Sequence, residues 1–353
     1  MSLPLTTYLH TLDPFAIKLT ETFGIRWYGL SYLSGFLAGY LIIVAMAKRN
    51  LSQLSPQAAG DYVFAAAIGT IVGGRLGYCF LYGPDLLVHF DASFPFWGVL
   101  AINKGGMASH GGILGVFLAS LWFARKHKVS GLHLSDLATL GGAVGIFFGR
   151  IANFINGELV GRASSPDFHF AVKFPQDILL WPTSAPQKLP QLGAAAKASG
   201  ISEENWSQAL SQFHFNSLAW RNLESYLDHI VAAVQAGNQA VQQSLEPLLT
   251  PRHPSQLYAA FLEGLLVFVI LVWIWRKPRK PGIITAYFFI IYSVVRIINE
   301  QFRMPDAHIG FQLLGLTRGQ WLSFGLLAAG IVCLVLFERR KVDQIGGWKT
   351  TKS

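Results

Sequence analysis

The sequence predicts an all-α integral membrane protein with seven transmembrane helices and a periplasmic helical head inserted between helices 4 and 5. Three observations predict this fold class. Of the 353 residues, 52% are hydrophobic and 13% are charged, whereas about 25% of the residues in an ordinary soluble domain carry a charge. The apolar residues gather in seven long runs, and lysine and arginine cluster after every second run.

The seven runs have the length that a membrane-spanning helix requires. A hydrocarbon core about 30 Å thick is crossed by roughly 20 apolar residues in a helix. The predicted spans are residues 28–47, 62–82, 107–124, 137–155, 257–275, 283–298 and 319–337.

Positive charge in the short loops predicts the orientation of the spans. The clusters are Lys48 and Arg49 after the first span, Arg125, Lys126 and Lys128 after the third, Arg276, Lys277, Arg279 and Lys280 after the fifth, and Arg339, Arg340 and Lys341 after the seventh. All four fall on one side, which the positive-inside rule assigns to the cytoplasm. We therefore expect a periplasmic N-terminus and a cytoplasmic C-terminus. The net charge of +9 then reflects topology and attraction to the lipid bilayer, and nucleic acid is not an expected partner.

The chain divides into three predicted regions. Residues 1–156 form the membrane body with helices 1–4, residues 157–252 form the head, and residues 253–353 form helices 5–7 and a cytoplasmic tail. Within the head, helical spacing predicts amphipathic helices from the recurrence of Leu223, Tyr226, Leu227, Ile230, Val231 and Val234. The two halves of the chain show no internal repeat, which disfavours an inverted-repeat transporter.

Polar residues inside the spans are the first candidates for a functional site, because charges are costly in a membrane. Arg75, Arg150 and Arg296 all lie toward the outer leaflet in the predicted topology. His110 and Tyr28, near the outer ends of two further helices, reach the same layer. Five helices thus contribute polar groups at one depth.

The spacing of these residues predicts two polar helix faces. Arg150, Asn153 and Gly157 follow at intervals of three and four, and Glu300 and Arg303 continue the face of Arg296 in the same way. A guanidinium group in a desolvated layer suits a phosphate, which it can bind through two oxygens. The phosphate of an outer leaflet belongs to a phospholipid head group.

Each candidate also has a structural interpretation. Arg75 could bind loop carbonyls, and His110 could be a hydrogen-bonded core histidine. Glu300 could serve to neutralise Arg296, and Tyr28 could belong to an interfacial aromatic belt. Arg303 could be a rim residue whose charge reaches water.

Five motifs resemble those of one enzyme family, the bacterial prolipoprotein diacylglyceryl transferases. The signature-like run is GRIANFINGELVGR at residues 149–162. The other matches are WYGL at 27–30, HGGILG at 110–115, HPSQLY at 253–258, and RIINE at 296–300 with Arg303, Pro305 and Asp306 after it. The motifs occur in the family's order, and the resemblance spans nearly all of the chain except about residues 176–250.

This resemblance implies a multi-pass enzyme of the bacterial inner membrane. The family transfers the diacylglyceryl group of phosphatidylglycerol to the thiol of the lipobox cysteine in a prolipoprotein signal peptide, and glycerol 1-phosphate leaves. It uses no cofactor and no metal.

The resemblance also implies roles for individual residues. His110, Arg150 and Arg296 match the family's catalytic positions, and Asn153 and Glu158 match the asparagine and glutamate of its signature. Tyr28, Glu300 and Arg303 align with functional positions. We further expect substrate contacts from Gly157, Arg162, His253, Tyr258 and Arg75.

Two departures and three alternatives accompany this interpretation, and the first departure is a head that is longer than the family's usual one. Ala259 stands where family members often carry a glutamate after HPSQLY, and the nearest acid is Glu263. An arginine-lined pocket could itself lower the pKa of the substrate thiol, in which case His110 would position lipid rather than act as a base. The rival functions are an anion transporter with an arginine-lined cavity and another phospholipid head-group enzyme.

Overall fold

The computed structural model describes residues 7–19, 24–92, 95–102, 105–165, 167–305 and 310–348. Asp306 of the last motif lies outside these residues. The chain forms two compact units. The first unit comprises Met1–Ser31, Gly149–Phe261 and Arg296–Gln320, and the second comprises Tyr32–Phe148, Leu262–Val295 and Trp321–Ser353.

The structure is predominantly helical. The helices in chain order are α1 (Trp27–Lys48), α2 (Pro56–Leu81), α3 (Ser109–His127), α4 (Gly131–Asn156), α5 (Trp181–Ser184), α6 (Gly193–Ala198), α7 (Glu203–Gln212), α8 (Ser217–Gln235), α9 (Gln239–Leu245), α10 (Ser255–Ile274), α11 (Ile283–Asn299) and α12 (Arg318–Glu338). Residues Ala260–Leu266 of α10 form a π-helical stretch.

Each of the seven predicted spans lies on one of these helices. Among the described residues, five helices are long and apolar enough to cross a membrane, namely α1, α2, α4, α10 and α12. Helix α11 is apolar but has 17 residues, and α3 begins with Ser-His-Gly-Gly and ends in Arg125, Lys126 and His127. An integral membrane fold is therefore supported, and the number of seven crossings stays a prediction.

Polar caps extend two of the spans beyond their apolar runs. Helix α2 begins at Pro56 because the Ser55 hydroxyl oxygen accepts a hydrogen bond from the Ala58 N–H at 3.2 Å, and proline suits the first helical position. Helix α4 begins at Gly131, whereas the predicted span began at residue 137, and the Ser130 hydroxyl oxygen before it accepts a hydrogen bond from the His133 N–H at 3.4 Å. The apolar pattern defined the membrane-crossing part of these helices, whereas side-chain capping sets their ends.

Glycines bring α2 and α3 into backbone contact within the second unit. A Cβ atom on Gly73 would lie 2.8 Å from the Gly115 Cα, and one on Gly77 would lie 2.7 Å from the Gly111 Cα. Small residues at this spacing allow close helix approach in membranes, where lipid offers no hydrophobic driving force for association. The crossing fixes the N-terminal turn of α3, which carries His110.

A large apolar core fills the rest of the second unit. Its fully buried side chains include Met46 of α1, Tyr62 of α2, Phe123 of α3, Leu137 of α4 and Trp275 after α10. The Tyr62 hydroxyl donates to the Leu134 carbonyl at 2.9 Å, so this buried polar group is satisfied.

Short strands organise the first unit. Strands β1 (Tyr8–Leu9), β4 (Val172–Lys173) and β5 (Pro251–Arg252) form a sheet in the order β1-β4-β5, with β1 parallel and β5 antiparallel to β4. Strands β2 (Phe15–Lys18) and β3 (Gly24–Arg26) form an antiparallel hairpin. The sheet thus joins the N-terminal segment to both ends of the head.

The head has its own hydrophobic core, built by helices α5–α9. Helix α8 buries Leu223, Leu227, Ile230 and Val234 along one face, which confirms the amphipathic helix predicted from their spacing. At the base of the head, buried Asp177 accepts a charge-assisted hydrogen bond from Arg252 of β5.

Candidate active site

The signature run changes direction where α4 ends. Helix α4 stops at Asn156, and Gly157 adopts a left-handed φ of +68°. The Gly157 N–H donates to the Phe154 carbonyl at 3.0 Å and the Glu158 N–H to the Asn153 carbonyl at 2.9 Å. This is the bonding of a glycine helix cap. The prediction that Gly157 shares a helical face with Arg150 and Asn153 is therefore wrong, since Gly157 has left the helix.

Asn153 links the end of α4 to the start of α1 and to the turn. Its side chain is 5% exposed. The amide nitrogen donates to the Tyr28 hydroxyl at 2.9 Å and to Glu158 Oε2 at 3.2 Å. Three of the predicted substrate-binding residues thus form one connected polar group in the first unit, with Glu158 exposed.

The segment after Glu158 is held on both sides by backbone pairing. Gly161 pairs with Arg303, and the Arg162 N–H donates to the Phe302 carbonyl at 2.8 Å. On the other side the His253 N–H donates to the Arg162 carbonyl at 3.0 Å. A Cβ atom at Gly161 would lie 2.9 Å from the Phe302 carbonyl oxygen, so this close packing requires glycine.

Arg162 joins the signature run to the segment after α11. Its Nε donates to the Arg303 carbonyl at 3.0 Å and its Nη2 to the Glu300 carbonyl at 3.3 Å. Its guanidinium also lies 5.5 Å from the centre of the Phe311 ring. These contacts favour a role for Arg162 in fixing the loop.

The HPSQLY motif braces the same turn. The Ser255 hydroxyl donates to the Leu159 carbonyl at 3.0 Å, and Gln256 Nε2 donates to the Glu158 carbonyl at 2.6 Å. His253 Nδ1 lies 3.4 Å from the Tyr258 hydroxyl. Both Ser255 and Gln256 are 2% exposed, so the motif supports the backbone of the signature run.

A buried ion pair stands at the end of α11. Arg296 Nη2 lies 3.0 Å from Glu300 Oε2, and the two residues are 8% and 4% exposed. The Thr317 hydroxyl donates to Glu300 Oε1 at 2.9 Å, and the Gln320 N–H donates to the Thr317 hydroxyl oxygen at 3.2 Å. Glu300 thus orients and partly neutralises Arg296, as its structural interpretation anticipated.

Arg303 does not continue this helical face, contrary to prediction. Helix α11 ends at Asn299, and Arg303 lies in the extended segment that pairs with Gly161. The intervals of three and four place residues on one face only while the helix persists.

Gly319 packs directly against the ion pair. A Cβ atom on Gly319 would lie 2.8 Å from Glu300 Oε1 and 3.1 Å from Glu300 Oε2. Any larger residue at the start of α12 would therefore displace the carboxylate that holds Arg296.

Arg75 lies in the second unit and organises a loop. Its guanidinium donates to the carbonyls of Gly98 at 2.6 Å, Val99 at 2.7 Å, Ala101 at 3.3 Å, Gly105 at 2.6 Å and Gly106 at 2.9 Å. These contacts use the five N–H donors of an arginine. The geometry favours the structural interpretation of Arg75 over substrate binding.

His110 is the second residue of α3 and is exposed. It belongs to the second unit, as Arg75 does, whereas the first unit brings together the other predicted residues. These are Tyr28, Arg150, Asn153, Gly157, Glu158, Arg162, His253, Tyr258, Arg296, Glu300 and Arg303.

Comparison with known proteins identifies the family. The family model described as prolipoprotein diacylglyceryl transferase matches residues 14–336. The chain belongs to the prolipoprotein diacylglyceryl transferase family. It is 53% identical to the phosphatidylglycerol-prolipoprotein diacylglyceryl transferase of Bdellovibrio bacteriovorus over 97% of both chains. The enzymes of that name from Rhodospirillum rubrum and Burkholderia ambifaria are each 35% identical to it, over 95% and 93% of this chain and 96% of their own.

The second departure from the diacylglyceryl transferase pattern lies in α10. Ala259 is 2% exposed, and Glu263 is fully buried within the π-helical stretch. The nearest acid to HPSQLY is therefore an internal residue of a membrane helix. π-Helical turns inside α-helices often occur at functional sites.

Sequence reasoning missed several residues that shape the site. Ser255 and Gln256 lay inside a quoted motif, but their contacts with the signature run require the fold to be known. Thr317 and Gly319 carry no sequence signal, because their role depends on the position of the Glu300 carboxylate. Gln176, beside Gly157, lies in the part of the head that matches no motif.

Proposed function

We propose that this protein transfers the diacylglyceryl group of phosphatidylglycerol to the lipobox cysteine thiol of prolipoproteins. Membership of the family and the names of the relatives support the reaction. The Arg296–Glu300 ion pair carries the structural argument, because a buried and oriented guanidinium suits a phosphate leaving group.

The chemistry is a displacement at carbon. The cysteine sulfur attacks the diacylglyceryl carbon that bears the phosphate ester, so that a C–S bond forms while the C–O bond breaks. The electron pair of that bond goes to the phosphate, which departs as glycerol 1-phosphate. Arg150 and Arg296 stabilise the growing negative charge, and such electrostatic stabilisation is stronger where water is scarce.

Polar side chains other than the arginines orient the substrate. Asn153 is held by Tyr28 and Glu158, so its side chain has one fixed orientation. We assign Tyr28, Asn153, Glu158 and Tyr258 to substrate positioning. Arg162 and His253 act through the backbone of the signature run, and Arg303 lines the segment that this run pairs with.

The thiol proton needs an acceptor. Histidine is the side chain that titrates nearest to neutral pH, and we assign this role to His110 on the basis of the family motif. The proton moves from sulfur to the imidazole as the nucleophilic thiolate forms.

The protein acts in the bacterial inner membrane. The basic loops lie in the cytoplasm, and the N-terminus and the head lie in the periplasm. This orientation rests on the lysine and arginine asymmetry of the loops. It gives the active site access to the outer leaflet.

Reconstitution tests the proposed function. Purified protein in phosphatidylglycerol vesicles should convert a lipobox peptide to its diacylglyceryl thioether, with stoichiometric release of glycerol phosphate without added metal. A peptide with serine in place of the lipobox cysteine is the control and should give no product. Anion flux without thioether formation would instead identify a transporter.

A further inference from the structure

Three side-chain amides surround the turn at the end of α4. Gln256 Nε2 donates to the Glu158 carbonyl at 2.6 Å, and Gln176 Nε2 donates to the Asn156 carbonyl at 3.4 Å. Asn156 is itself the last residue of the helix. We call Asn156, Gln176 and Gln256 the amide cluster. Its members come from α4, from the base of the head and from α10.

The cluster presents acceptors that the described part of the chain does not satisfy. Asn156 Oδ1, Gln176 Oε1 and Gln256 Oε1 are buried, and none of the three has a hydrogen-bond partner among the described residues. Gln256 as a whole is 2% exposed. Buried polar atoms are nearly always paired, so three unpaired acceptors around one turn indicate a ligand that carries donors.

The backbone fixes the direction of the two glutamine amides. Because each nitrogen is bound to a carbonyl of the turn, the oxygen of each amide remains as an acceptor. The left-handed Gly157 makes this approach possible, since a Cβ atom there would lie 2.5 Å from Gln176 Nε2. The turn and the amides therefore form one built arrangement.

We propose that the amide cluster accepts hydrogen bonds from the hydroxyl groups of the glycerol head group of phosphatidylglycerol. The inference rests on the proposed function and deepens it, because it assigns head-group specificity to particular residues. The cluster adjoins Glu158, which is bound to Asn153. Its acceptors are uncharged amide oxygens, which suits the hydroxyl donors of a glycerol head group.

The inference also gives the head a part in the reaction. Gln176 lies at the start of the segment Pro175–Leu180, within the region that the sequence analysis assigned to no motif. Gln256, the other glutamine of the amide cluster, belongs to the HPSQLY motif. Recognition of the head group would thus combine the signature run with the base of the head.

The test compares two lipids that differ in the head-group hydroxyls. Phosphatidylglycerol and phosphatidylpropanol, whose head group has no hydroxyl, are each presented in mixed micelles with one lipobox peptide, and kcat/KM for each lipid is measured. The wild-type protein should prefer phosphatidylglycerol. Gln256→Leu and Gln176→Leu should each lower kcat/KM for phosphatidylglycerol by about 10-fold, the loss expected for a buried hydrogen bond, and leave phosphatidylpropanol within about twofold.

The matched control is Gln243→Leu, which changes an exposed glutamine of α9 and should leave both values unaltered. A parallel loss with both lipids would overturn the inference, since it would show a packing role. A rise in the peptide KM with unchanged lipid discrimination would overturn it too, in favour of peptide recognition. If Gln256→Leu does not fold, the half-buried Gln176 supplies the decisive variant. Failure of the wild-type protein to turn over either lipid would overturn the proposed function itself.

Discussion

Arginine and lysine differ at this site because the guanidinium group of arginine is planar and can bind a phosphate in a way that lysine cannot. The planar fork of the guanidinium binds two oxygens of a phosphate at once, whereas an ammonium group is a point charge. Arg296 Nη2 lies 3.0 Å from Glu300 Oε2, so the carboxylate holds one nitrogen of the fork by charge attraction. Arg150 on α4 carries the same planar group.

We expect Arg150→Lys to be nearly as damaging as Arg150→Ala. In the proposed mechanism both variants would lose bidentate binding of the leaving phosphate, and we expect kcat to fall at least about 100-fold, as for the loss of a donor that stabilises transition-state charge. Thioether formation with phosphatidylglycerol and a lipobox peptide measures the effect. If Arg150→Lys retains most of the wild-type rate, Arg150 contributes charge to the structure and not a bidentate grip.

The pH profile of His110→Asn tests base catalysis. Asparagine keeps much of the shape but accepts no proton, so the variant depends on thiolate that forms without help. The rate defect should therefore shrink as pH rises toward the ordinary thiol pKa of about 8.5. A variant profile parallel to that of the wild-type protein, at a lower rate, would identify His110 as a residue that positions lipid.

Gly319→Ala should disturb the Arg296–Glu300 pair. The new Cβ atom would lie 2.8 Å from Glu300 Oε1, which would force the carboxylate to move. We expect about a 10-fold loss of kcat with little change in the peptide KM, because a displaced buried ion-pair partner costs one to a few kcal/mol. Gly325→Ala on the same helix is the control, since nothing lies within 4 Å of its Cβ position. Equal activity of the two variants would show that Gly319 does not support the Arg296–Glu300 pair.

At the scale of elements, strand β1 is attached to the first unit by a buried histidine. His10 is fully buried, and its Nε2 lies 2.7 Å from the Phe154 carbonyl oxygen in α4. Its ring also packs edge-on against Phe154. Burial lowers the pKa of His10 to about 4.

This lowered pKa predicts acid sensitivity. Because the folded-state pKa lies below the unfolded value of 6.5, the folded state binds fewer protons. The stability is fully present above pH 6.5 and is lost as pH falls toward 4, by up to about 3 kcal/mol at 1.36 kcal/mol per pKa unit. His10→Gln keeps an N–H donor without titrating there. The thermal unfolding midpoints of the wild-type protein and His10→Gln in detergent should diverge as pH falls from 6.5 to 4. Parallel curves would rule out His10 as the source of acid sensitivity.

Helix positions could be predicted from sequence much better than helix ends. A run of about 20 apolar residues locates a membrane helix, and all seven predicted runs lie on helices. The ends depend on caps such as Ser55 and Gly157, which are polar or left-handed and carry no hydropathy signal. For this reason the predicted helical faces that included Gly157 and Arg303 ran past the ends of α4 and α11.

At the scale of the whole molecule, the topology is directly testable. In a background of Cys79→Ala and Cys333→Ala, a cysteine at exposed Lys126 should resist a membrane-impermeant thiol reagent in intact spheroplasts. One at exposed Ser207 in the head should react. Disruption of the membrane should make Lys126→Cys reactive, which controls for access. Labelling of Lys126→Cys in intact cells would reverse the predicted orientation.

The motifs predicted three segments that meet where α4 ends, since residues 149–162, 253–258 and 296–303 are joined there by hydrogen bonds. The sequence could not reveal which residues act through others. Arg75 looked like the other membrane arginines, yet it binds five loop carbonyls. Gln176 gave no signal, because its importance follows from its position against Gly157. Such roles depend on which segments, distant in the sequence, lie close together in the fold, and periodicity and composition do not reveal this.

The Arg296–Glu300 pair also bears on how the chain enters the membrane during synthesis. A lone arginine at the centre of a membrane helix costs about 2.5–3.5 kcal/mol on insertion, and Arg296 in the last turn of the 17-residue α11 carries a smaller part of that cost. Glu300 follows Arg296 by four residues and lies 3.0 Å from it, so we expect the two charges to enter the membrane together and to offset each other there. Glu300→Ala would then lower the yield of inserted protein independently of its effect on turnover.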